Sequence, residues 1–549
     1  MRCILLILTL FICLNLSAQK ASKLIQTAKG EIMRENFVKA ANILEPIAAQ
    51  KPLDKEALKL AGFCFLNIAG EEVKALRYLE KASLLYPLGN KPSISALETH
   101  FYFAQALHQN YHFEQAMAIY ENLLTLAKPK PLIVAIQREI GYVNNAVEMV
   151  KNPLEFKIFS LGTNVNSQYE EHSPLIAADE TVLYFTSNRP AKGMKKEDGD
   201  YFENIYVSHW HNDNWSEAEL LKLRGNYFGN RATVSLSADG NTMIIFQNDG
   251  FSGSLFETRN TFRGWTEPKP LPINSTSFNE THACYSPDET ELWFTSDRPG
   301  GYGGKDIYIS YKLPDNSWGP PINAGPEINT EFDEEAPFIS PDGNLLYFAS
   351  EGHNSMGGFD IFMCEKNDDD NTWSKPVNIG YPINTTNDDI FYLPTPDGQR
   401  VYYSSRRAGG TGGTDLYMIV FPDDDARALA VLAGYVFFDV EVPGIDAVIK
   451  IVDDKEKMYG IYRPNQFTGK FVAILPTGIN YFLEIEAEGY KTFVQETSIP
   501  IRNVYGSRQT ATYIPNIFLE KDENYKIEEI DDSERELDDS ERELDIESN

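Results

Sequence analysis

The sequence predicts a multidomain protein of the α plus all-β class, with a helical segment first and two β domains after it. Its 549 residues exceed the size of one domain, since a domain typically holds roughly 150 residues. Residues 19–150 are rich in Ala, Leu, Glu and Lys and show no strand-like alternation. Residues 158–420 repeat one pattern of short aromatic strands about every fifty residues, which favours β structure over most of the chain.

The first residues have the layout of a secretory signal. Arg2 precedes an apolar run from Ile4 to Leu16, and small residues follow as far as Ala18. We expect residues 1–18 to be a signal peptide, so that the chain is exported to the periplasm, free or associated with the outer membrane. Lipidation of Cys13 is a less favoured alternative, because bulky residues precede that cysteine. No other window is long and apolar enough to cross a membrane.

The acidic composition and the sparse cysteines argue against several classes of site. The net charge is −31, whereas a nucleic-acid groove needs clustered Lys and Arg to neutralise phosphates. The cysteines beyond the signal, Cys64, Cys284 and Cys364, are too widely spaced for a disulfide framework or a zinc site, so we expect buried free thiols. The histidines also lack metal spacing, and we expect packing or surface roles for His172, His282 and His353. We find no cofactor motif and expect no cofactor and no metal.

Residues 19–152 carry the second-helix pattern of tetratricopeptide repeats. In one copy the small residue Ala75 is followed by Leu79 and then by Pro87. The small residue lets two helices approach closely, and the Pro stops the second helix. Such an array binds partners on its concave face, and the alternative is a spacer that packs against the next domain. The three copies and a closing helix are expected near 37–52, 73–87, 113–129 and 131–150.

The segment 153–423 is predicted to be a β-propeller. Each copy has an acidic start, an apolar strand, a tight turn, an aromatic strand, a Gly-rich loop and a third strand. One blade cannot bury both of its faces, so the blades must stack in a ring. The fifth copy lacks its outer strand and residues 156–161 resemble it, so we expect this segment to close a ring of five blades; six blades are the alternative. The turn aspartates of the copies are Asp179, Asp239, Asp288, Asp342 and Asp397.

Two sets of polar residues are candidate sites within the propeller. The turn aspartates are expected to be structural rather than catalytic, because Asp before Gly accepts backbone N–H bonds in a hairpin. A second set lies where strand one starts, strand two ends and strand three starts. An Arg between two carboxylates ties strands or blades together, and a ligand- or cation-binding face is the alternative. These clusters are Glu171, Arg189 and Asn204; Glu280, Arg298 and Asp306; and Asp389, Arg407 and Asp415.

The remainder of the chain is predicted to hold a small β domain and an acidic tail. Residues 426–520 change to alternating strands without the aromatic period, which suits a small transthyretin-like β-sandwich with Greek-key connections. Residues 521–549 are mostly Asp, Glu, Ser and Arg, and they repeat the heptapeptide Asp-Ser-Glu-Arg-Glu-Leu-Asp. We expect this tail to be disordered or marginally helical.

The order of these segments resembles a known periplasmic family of Bacteroidetes-type bacteria. Ser340 to Gly343, with the aromatic, Gly-Gly and Asp-Ile-Phe motifs that follow, resembles its blades, and Thr468 to Tyr490 resembles its third domain. The family, which includes PorE-like proteins associated with type IX secretion, joins tetratricopeptide repeats, a TolB-like WD-type propeller and a carboxypeptidase-regulatory-like domain. It usually adds an OmpA-like domain. No OmpA-like segment follows residue 520, so peptidoglycan binding is not expected.

Three functions are compatible with these patterns. The leading hypothesis is a non-enzymatic scaffold or adaptor of the cell envelope that binds protein partners, in type IX secretion or in another outer-membrane complex. The alternative is a glycan- or peptide-binding accessory module of an outer-membrane uptake complex. A hydrolase is disfavoured, because we find neither a Gly-x-Ser-x-Gly motif nor room for a separate hydrolase domain.

Overall fold

The computed structural model contains two compact units, one formed by the described residues up to Leu429 and the other by those from Ala430 onward. The predicted signal peptide, Arg407 and most of the predicted acidic tail lie outside the described residues. The structure describes residues 21–50, 53–191, 195–196, 201–225, 227–248, 253–367, 372–405, 410–422, 429–439, 442–443, 446–500, 511–523 and 525.

The described part of the first unit begins with seven helices that pack in sequence order. They are α1 (described over residues 21–32), α2 (Phe37–Ala48), α3 (Lys55–Leu66), α4 (Glu72–Leu85), α5 (Ile94–Gln109), α6 (Phe113–Leu126) and α7 (Lys130–Val150). Helices α1 to α4 share one apolar cluster, and α5 to α7 share a second. No described helix is both long and apolar enough to cross a membrane.

The small residues of the helical pattern lie where neighbouring helices meet. Ala40, Ala75 and Ala116 are fully or almost fully covered. A Cβ atom at Gly62 of α3 would lie 2.5 Å from Cγ of Leu79 on α4, so these two helices are in direct contact. The helices therefore occupy the predicted positions, and their assignment to tetratricopeptide repeats stays a prediction.

Five antiparallel sheets follow in the described residues between 157 and 420. A short strand, β1 (Lys157–Ser160), precedes them. The first sheet holds β2 (Glu171–Ile176), β3 (Val182–Ser187), β4 (Asn204–His211), β5 (Asn214–Trp215) and β6 (Glu219–Leu220). The second holds β7 (Asn230–Leu236), β8 (Thr242–Asn248), β9 (Gly253–Thr261), β10 (Gly264–Trp265) and β11 (Lys269–Pro270).

The next three sheets repeat this order of strands. The third holds β12 (Glu280–Tyr285), β13 (Glu291–Ser296), β14 (Asp306–Tyr311) and β15 (Ile322–Asn323). The fourth holds β16 (Glu334–Ile339), β17 (Leu345–Ser350), β18 (Asp360–Glu365) and β19 (Val377–Asn378). The fifth holds β20 (Leu393–Pro394), β21 (Arg400–Ser405), β22 (Asp415–Val420) and, as its outer strand, β1.

The pairing of β1 with β22 joins the two ends of this region. Phe159 lies opposite Met418 in an antiparallel register. The prediction that residues 156–161 supply the missing outer strand of the last copy is confirmed. Apolar clusters fill the space between successive sheets, and one of them joins the fifth sheet to the first through Tyr402 and Phe185. This arrangement is a β-propeller-like fold.

The middle strands are buried on both faces, because a sheet lies on either side of them. Most residues of β3, β13 and β17 are buried, which explains why their sequences are mostly apolar rather than alternating between apolar and polar residues. Three sheets repeat one stacked pair of rings on their second and third strands, with centroids 5.9 to 6.1 Å apart. The pairs are Phe185 with Tyr206, Phe294 with Tyr308, and Phe348 with Phe362.

The helical array packs against loops of the fourth sheet. Arg138 Nη1 on α7 lies 3.2 Å from Oε2 of Glu351, and the Tyr142 hydroxyl donates to the Glu351 carbonyl at 2.7 Å. The Asn145 amide donates to the Ser355 carbonyl at 2.8 Å. The array therefore uses part of its surface for its own neighbour, which is the alternative role that the sequence left open for it.

The second unit consists of two described sheets around one apolar core. One contains β23 (Leu429–Asp439), β24 (Val442–Pro443) and β27 (Lys470–Pro476), with β30 (Ala511–Tyr513) and β31 (Ile517–Phe518) parallel to β23. The other contains β25 (Val448–Asp453), β26 (Met458–Tyr462), β28 (Ile479–Glu486) and β29 (Phe493–Ile499). Leu432 and Phe471 of one sheet share the core with Ile449 and Leu483 of the other. Its assignment as a carboxypeptidase-regulatory-like sandwich stays a prediction.

Candidate functional site

The predicted polar clusters lie on one face of the propeller-like domain, which we call the polar face. It is formed where the first strand of each sheet starts, the second ends and the third starts. In the first sheet Glu171 lies opposite Ser187, which lies opposite Asn204. In the third sheet Glu280, Ser296 and Asp306 are aligned in the same way. These positions meet because, in an antiparallel sheet, the start of one strand lies beside the end of its neighbour.

Two of the predicted arginines pair with the glutamate of their own sheet. Arg298 Nη2 lies 2.9 Å from Oε1 of Glu280, and Arg189 Nη2 lies 2.8 Å from Oε1 of Glu171. The Arg298 guanidinium also donates to the Ile273 carbonyl at 3.1 Å. Both glutamates are almost completely buried, so each guanidinium neutralises a covered carboxylate.

The third members of these clusters bind elsewhere, which corrects the expectation of an Arg between two carboxylates. Asp306 accepts the backbone N–H groups of Tyr302 and Gly303 and the side-chain amide of Asn323 at 2.7 Å. Asn204 donates to the Phe202 carbonyl. The carboxylate at the start of strand three therefore holds the Gly-rich loop, because the loop turns its own N–H groups toward it.

The third predicted cluster is only partly described. Asp415 accepts N–H groups of its Gly-rich loop, from Thr411 and Gly412. Asp389 accepts the Thr385 N–H at 2.6 Å and lines the wall of an open cavity. The pKa of Asp389 is raised well above its ordinary value, mainly by desolvation and to a smaller extent by the negative charge of the nearby Asp360.

The five turn aspartates are bonded within their own turns. Asp288 accepts the Ser286 hydroxyl at 2.6 Å and the Thr290 N–H at 3.2 Å. The residue that follows the aspartate has a positive φ, which is +77° at Gly343 and +55° at Glu289, so the turn needs a left-handed residue there. Asp179, Asp239, Asp342 and Asp397 have corresponding partners.

A recurring asparagine was missed by the sequence reasoning. The side-chain amide of Asn329 accepts the Ile307 N–H at 2.8 Å and donates to the Ile307 carbonyl at 2.9 Å. It therefore satisfies the backbone groups of β14 as a neighbouring strand would. The signal was present in the sequence, since an aliphatic residue, Asn and then Ser or Thr recur before four first strands. The equivalent residues are Asn166, Asn274 and Asn384.

The fourth sheet lacks the arginine, and its buried carboxyl groups have strongly raised pKa values. Gly352 occupies the position of Arg298, and a Cβ atom there would lie 2.3 Å from Thr330 Oγ1. Burial raises the pKa of Glu334 to about 7. Burial likewise raises the pKa of Asp360 to about 7. These groups lie beside the loops on which the helical array packs.

A second missed cluster joins the third and fourth sheets. Glu335 accepts from the Thr281 hydroxyl at 2.7 Å, from Lys305 Nζ, and lies 2.6 Å from His282 Nδ1. Burial opposes ionisation of Glu335, but His282 and Lys305 outweigh it and lower its pKa to about 2. His282 thus has a structural partner, as His172 has in Glu203 at 3.5 Å.

Two open cavities adjoin these clusters. The first, which we call the polar cavity, has a volume of about 430 Å³ and is lined by His172, Glu203, Phe391 and Tyr403 among others. The second, which we call the junction groove, lies between the helical array and the fourth sheet and has a volume of about 490 Å³. Both fall in the range of small-molecule and peptide sites.

The described residues contain no group of three potential metal ligands. The three described cysteines are free and buried, which confirms the prediction from their spacing. Burial raises the pKa of each thiol to about 12, so the thiolate is disfavoured. The cysteines are Cys64, Cys284 and Cys364.

No protein-family model and no curated protein matches the chain. Among solved structures it is similar to a putative TolB from Agrobacterium tumefaciens, with 14% identity over 58% of this chain and 97% of that one and a TM-score of 0.30. It is also similar to a levansucrase of B. megaterium, with 12% identity over 51% and 93% of the two chains and a TM-score of 0.33. An α-L-arabinofuranosidase from Lactobacillus brevis gives 14% identity, 48% and 94% coverage and a TM-score of 0.30. These likenesses are remote, and the fold assignment rests on the strand pairing.

Proposed function

We propose that this chain is a non-enzymatic adaptor of the bacterial cell envelope that binds protein partners through its helical array and its propeller-like domain. The observation that carries the proposal is the use of the charged residues of the polar face. The Glu280–Arg298 pair and Asp306 are bonded to the fold itself, while the junction groove stays open. A face whose charges maintain its shape is suited to docking.

The architecture supports the same role. In the proposal, the five sheets form a closed ring of five blades, the helices are tetratricopeptide repeats, and the second unit is a carboxypeptidase-regulatory-like sandwich. The pairing of β1 with β22, and the apolar cluster that links the fifth sheet to the first, support the ring. Export to the periplasm, and association with type IX secretion or another outer-membrane complex, follow from the signal-like first residues and from the family resemblance.

A cross-linking pull-down from envelope extracts tests the adaptor role. Ala69 is exposed and lines the junction groove, so Ala69→Trp obstructs the groove without disturbing the core. Ala49→Trp, at an exposed position after α2, is the matched control. We expect an envelope protein to be captured by the wild type and by Ala49→Trp, and to be lost from Ala69→Trp. Recovery of the bait alone, or equal capture by all three, contradicts the proposal.

The polar cavity favours a second candidate function, the binding of a glycan or peptide in an uptake complex. Aromatic rings of Phe391 and Tyr403 lie beside the polar side chains of His172 and Glu203 in its lining. Such a mixture of rings and a few polar groups is typical of small-ligand sites. A glycan array and a peptide library, each followed by calorimetry with the variant Phe391→Ala, test it. Binding that does not depend on Phe391 counts against this candidate.

A further inference from the structure

Arg231 is a buried cation without a side-chain partner in the part of the chain that the structure describes. It lies on β7 at the polar face and is only 9% exposed. Its Nε atom is fully covered and has no hydrogen-bond partner. The guanidinium of Arg231 makes a cation–π contact with Tyr227, and its central carbon lies 4.7 Å from the ring centroid. A ring face attracts a cation but does not neutralise it.

Three other largely covered arginines among the described residues of this domain are paired. Arg189 contacts Glu171 at 2.8 Å, Arg298 contacts Glu280 at 2.9 Å, and Arg400 contacts Glu180 at 2.9 Å. Leaving a buried charge unpaired costs far more than leaving an exposed one, so this domain supplies a carboxylate at each of those three sites. Arg231 is the exception among these four residues.

The strands next to Arg231 offer it no carboxylate, since Arg231 lies opposite Gln247 and follows Asn230. Asn230, opposite Asn248, occupies the place that Glu280, opposite Ser296, occupies in the third sheet. The carboxylate at this position of the polar face is therefore replaced by an amide. The side-chain oxygen of Asn230 is itself occupied, because it accepts the Glu203 N–H at 3.1 Å.

The adjacent carboxylate is committed to another residue. Glu203 Oε1 lies 3.5 Å from His172 Nε2; burial opposes ionisation of Glu203, but this pairing and the charge of Lys196 outweigh it and lower its pKa. Arg231 meets Glu203 only through the backbone, where its N–H donates to the Glu203 carbonyl at 2.9 Å. The guanidinium thus keeps its charge available, although burial lowers its pKa.

Aromatic side chains lie beside this part of the second sheet. Lys196 Nζ lies 5.6 Å from the ring centroid of Phe202, which packs edge-on against Phe228 at 4.7 Å. Phe228 is 62% exposed and follows Tyr227 in sequence. The neighbourhood therefore adds an exposed apolar ring next to Tyr227, whose own ring contacts the guanidinium.

We propose that Arg231 binds the carboxylate of a small ligand, either an acidic sugar or the C-terminal end of a peptide. A planar guanidinium matches a carboxylate with two parallel hydrogen bonds, as Arg400 does with Glu180. One buried guanidinium balances one negative charge, which favours a carboxylate over a phosphate. Arg231 is not among the residues that line the polar cavity or the junction groove, so its replacement leaves both linings intact.

Calorimetry with matched pairs of probes tests the site in the chain that starts at residue 19. Digalacturonate is compared with the neutral galactobiose, and N-acetyl-dialanine with its C-terminal amide. Inorganic phosphate is a further probe. The variants are Arg231→Met, which keeps the bulk and removes the charge, and Arg231→Lys. Arg263→Met, which changes an exposed arginine, is the control.

We expect one of the two acidic probes to bind at least about tenfold more tightly than the matched neutral compound. Preference for digalacturonate would identify an acidic sugar as the ligand, and preference for N-acetyl-dialanine would identify a peptide C-terminus. Arg231→Met should abolish this preference and should leave the melting temperature equal or higher without ligand, because it removes an unpaired buried charge. Arg231→Lys should weaken binding, and Arg263→Met should not. The absence of any preference, tighter binding of phosphate, or a melting temperature of Arg231→Met lowered like that of Arg189→Met would each overturn the proposal.

Discussion

Replacement of Arg298 by alanine isolates the contribution of one buried ion pair to the propeller-like domain. The side chain is 15% exposed and makes three polar contacts, with Glu280 at 2.9 Å, with the Ile273 carbonyl at 3.1 Å and with the Ser296 hydroxyl at 3.0 Å. The guanidinium also lies over the Phe294 ring, 4.7 Å from its centroid. Alanine removes all of these contacts and leaves Glu280 buried.

The structure sets the size of the loss. Breaking a fully buried pair costs about 3–5 kcal/mol, since the remaining charge has no partner. Glu280 keeps two donors, the Ser275 N–H at 2.9 Å and the Ser296 hydroxyl at 3.1 Å, and water reaches the space left by Arg298. We therefore expect a loss of about 2 kcal/mol in the free energy of unfolding, close to the value of one charge-assisted hydrogen bond.

Urea unfolding followed by tryptophan fluorescence measures this loss. All six tryptophans lie between residues 210 and 373, so their signal reports the propeller-like domain and not the second unit. Arg263→Ala is the matched control, because Arg263 is exposed and should change the stability by less than about 0.5 kcal/mol. An Arg298→Ala midpoint indistinguishable from that of Arg263→Ala would refute the reasoning, since the pair would then contribute nothing to the fold.

Three further predictions concern ring closure, pH and the thiols. Deletion of residues 158–165 should lower the melting temperature reported by tryptophan, because it removes β1 and the buried Leu161 and Val165. Stability should fall as the pH rises from about 4 to about 7, because Glu334 and Asp360 take up protons more readily when folded; each contributes on the order of 3 kcal/mol. The three buried thiols should resist Ellman's reagent at pH 8 in the native chain without residues 1–18 and react fully in urea.

Each of these predictions has its own control. For ring closure, removal of residues 526–549 should leave the tryptophan transition unchanged, and an equal effect of both deletions would count against closure by β1. For pH, the double variant Glu334→Gln with Asp360→Asn should flatten the profile between pH 4 and 7, and an unchanged slope would assign it to other groups. For the thiols, rapid native reaction of one equivalent would show that a cysteine is accessible.

The secondary structure and its order followed from local patterns. Short aromatic strands with Asp-containing turns indicated the sheets, and the small-residue spacing indicated the helices, because both signals depend on residues close together in the chain. The strand supplied by residues 156–161 was also predictable, since the last copy of the repeat visibly lacked one. The Glu280–Arg298 pair followed from counting strand ends.

The partners of individual side chains were less predictable. Asp306 was expected to share Arg298, but its loop offers N–H groups at shorter range. The packing of α7 on the loop around Glu351 left no sequence signal that we recognised, because it joins residues more than two hundred positions apart. The isolation of Arg231 likewise left no sequence signal, because it depends on which side chains of neighbouring strands and loops reach the guanidinium.

The sequence by itself determined the order of helices and sheets, the turns, and the burial of the cysteines, because apolar periodicity and turn chemistry act over a few residues. The tertiary structure alone decided which charges are paired and which remain available. That outcome depends on rotamers, on loops that meet across sheets, and on the high cost of a buried unpaired charge, which no local pattern encodes.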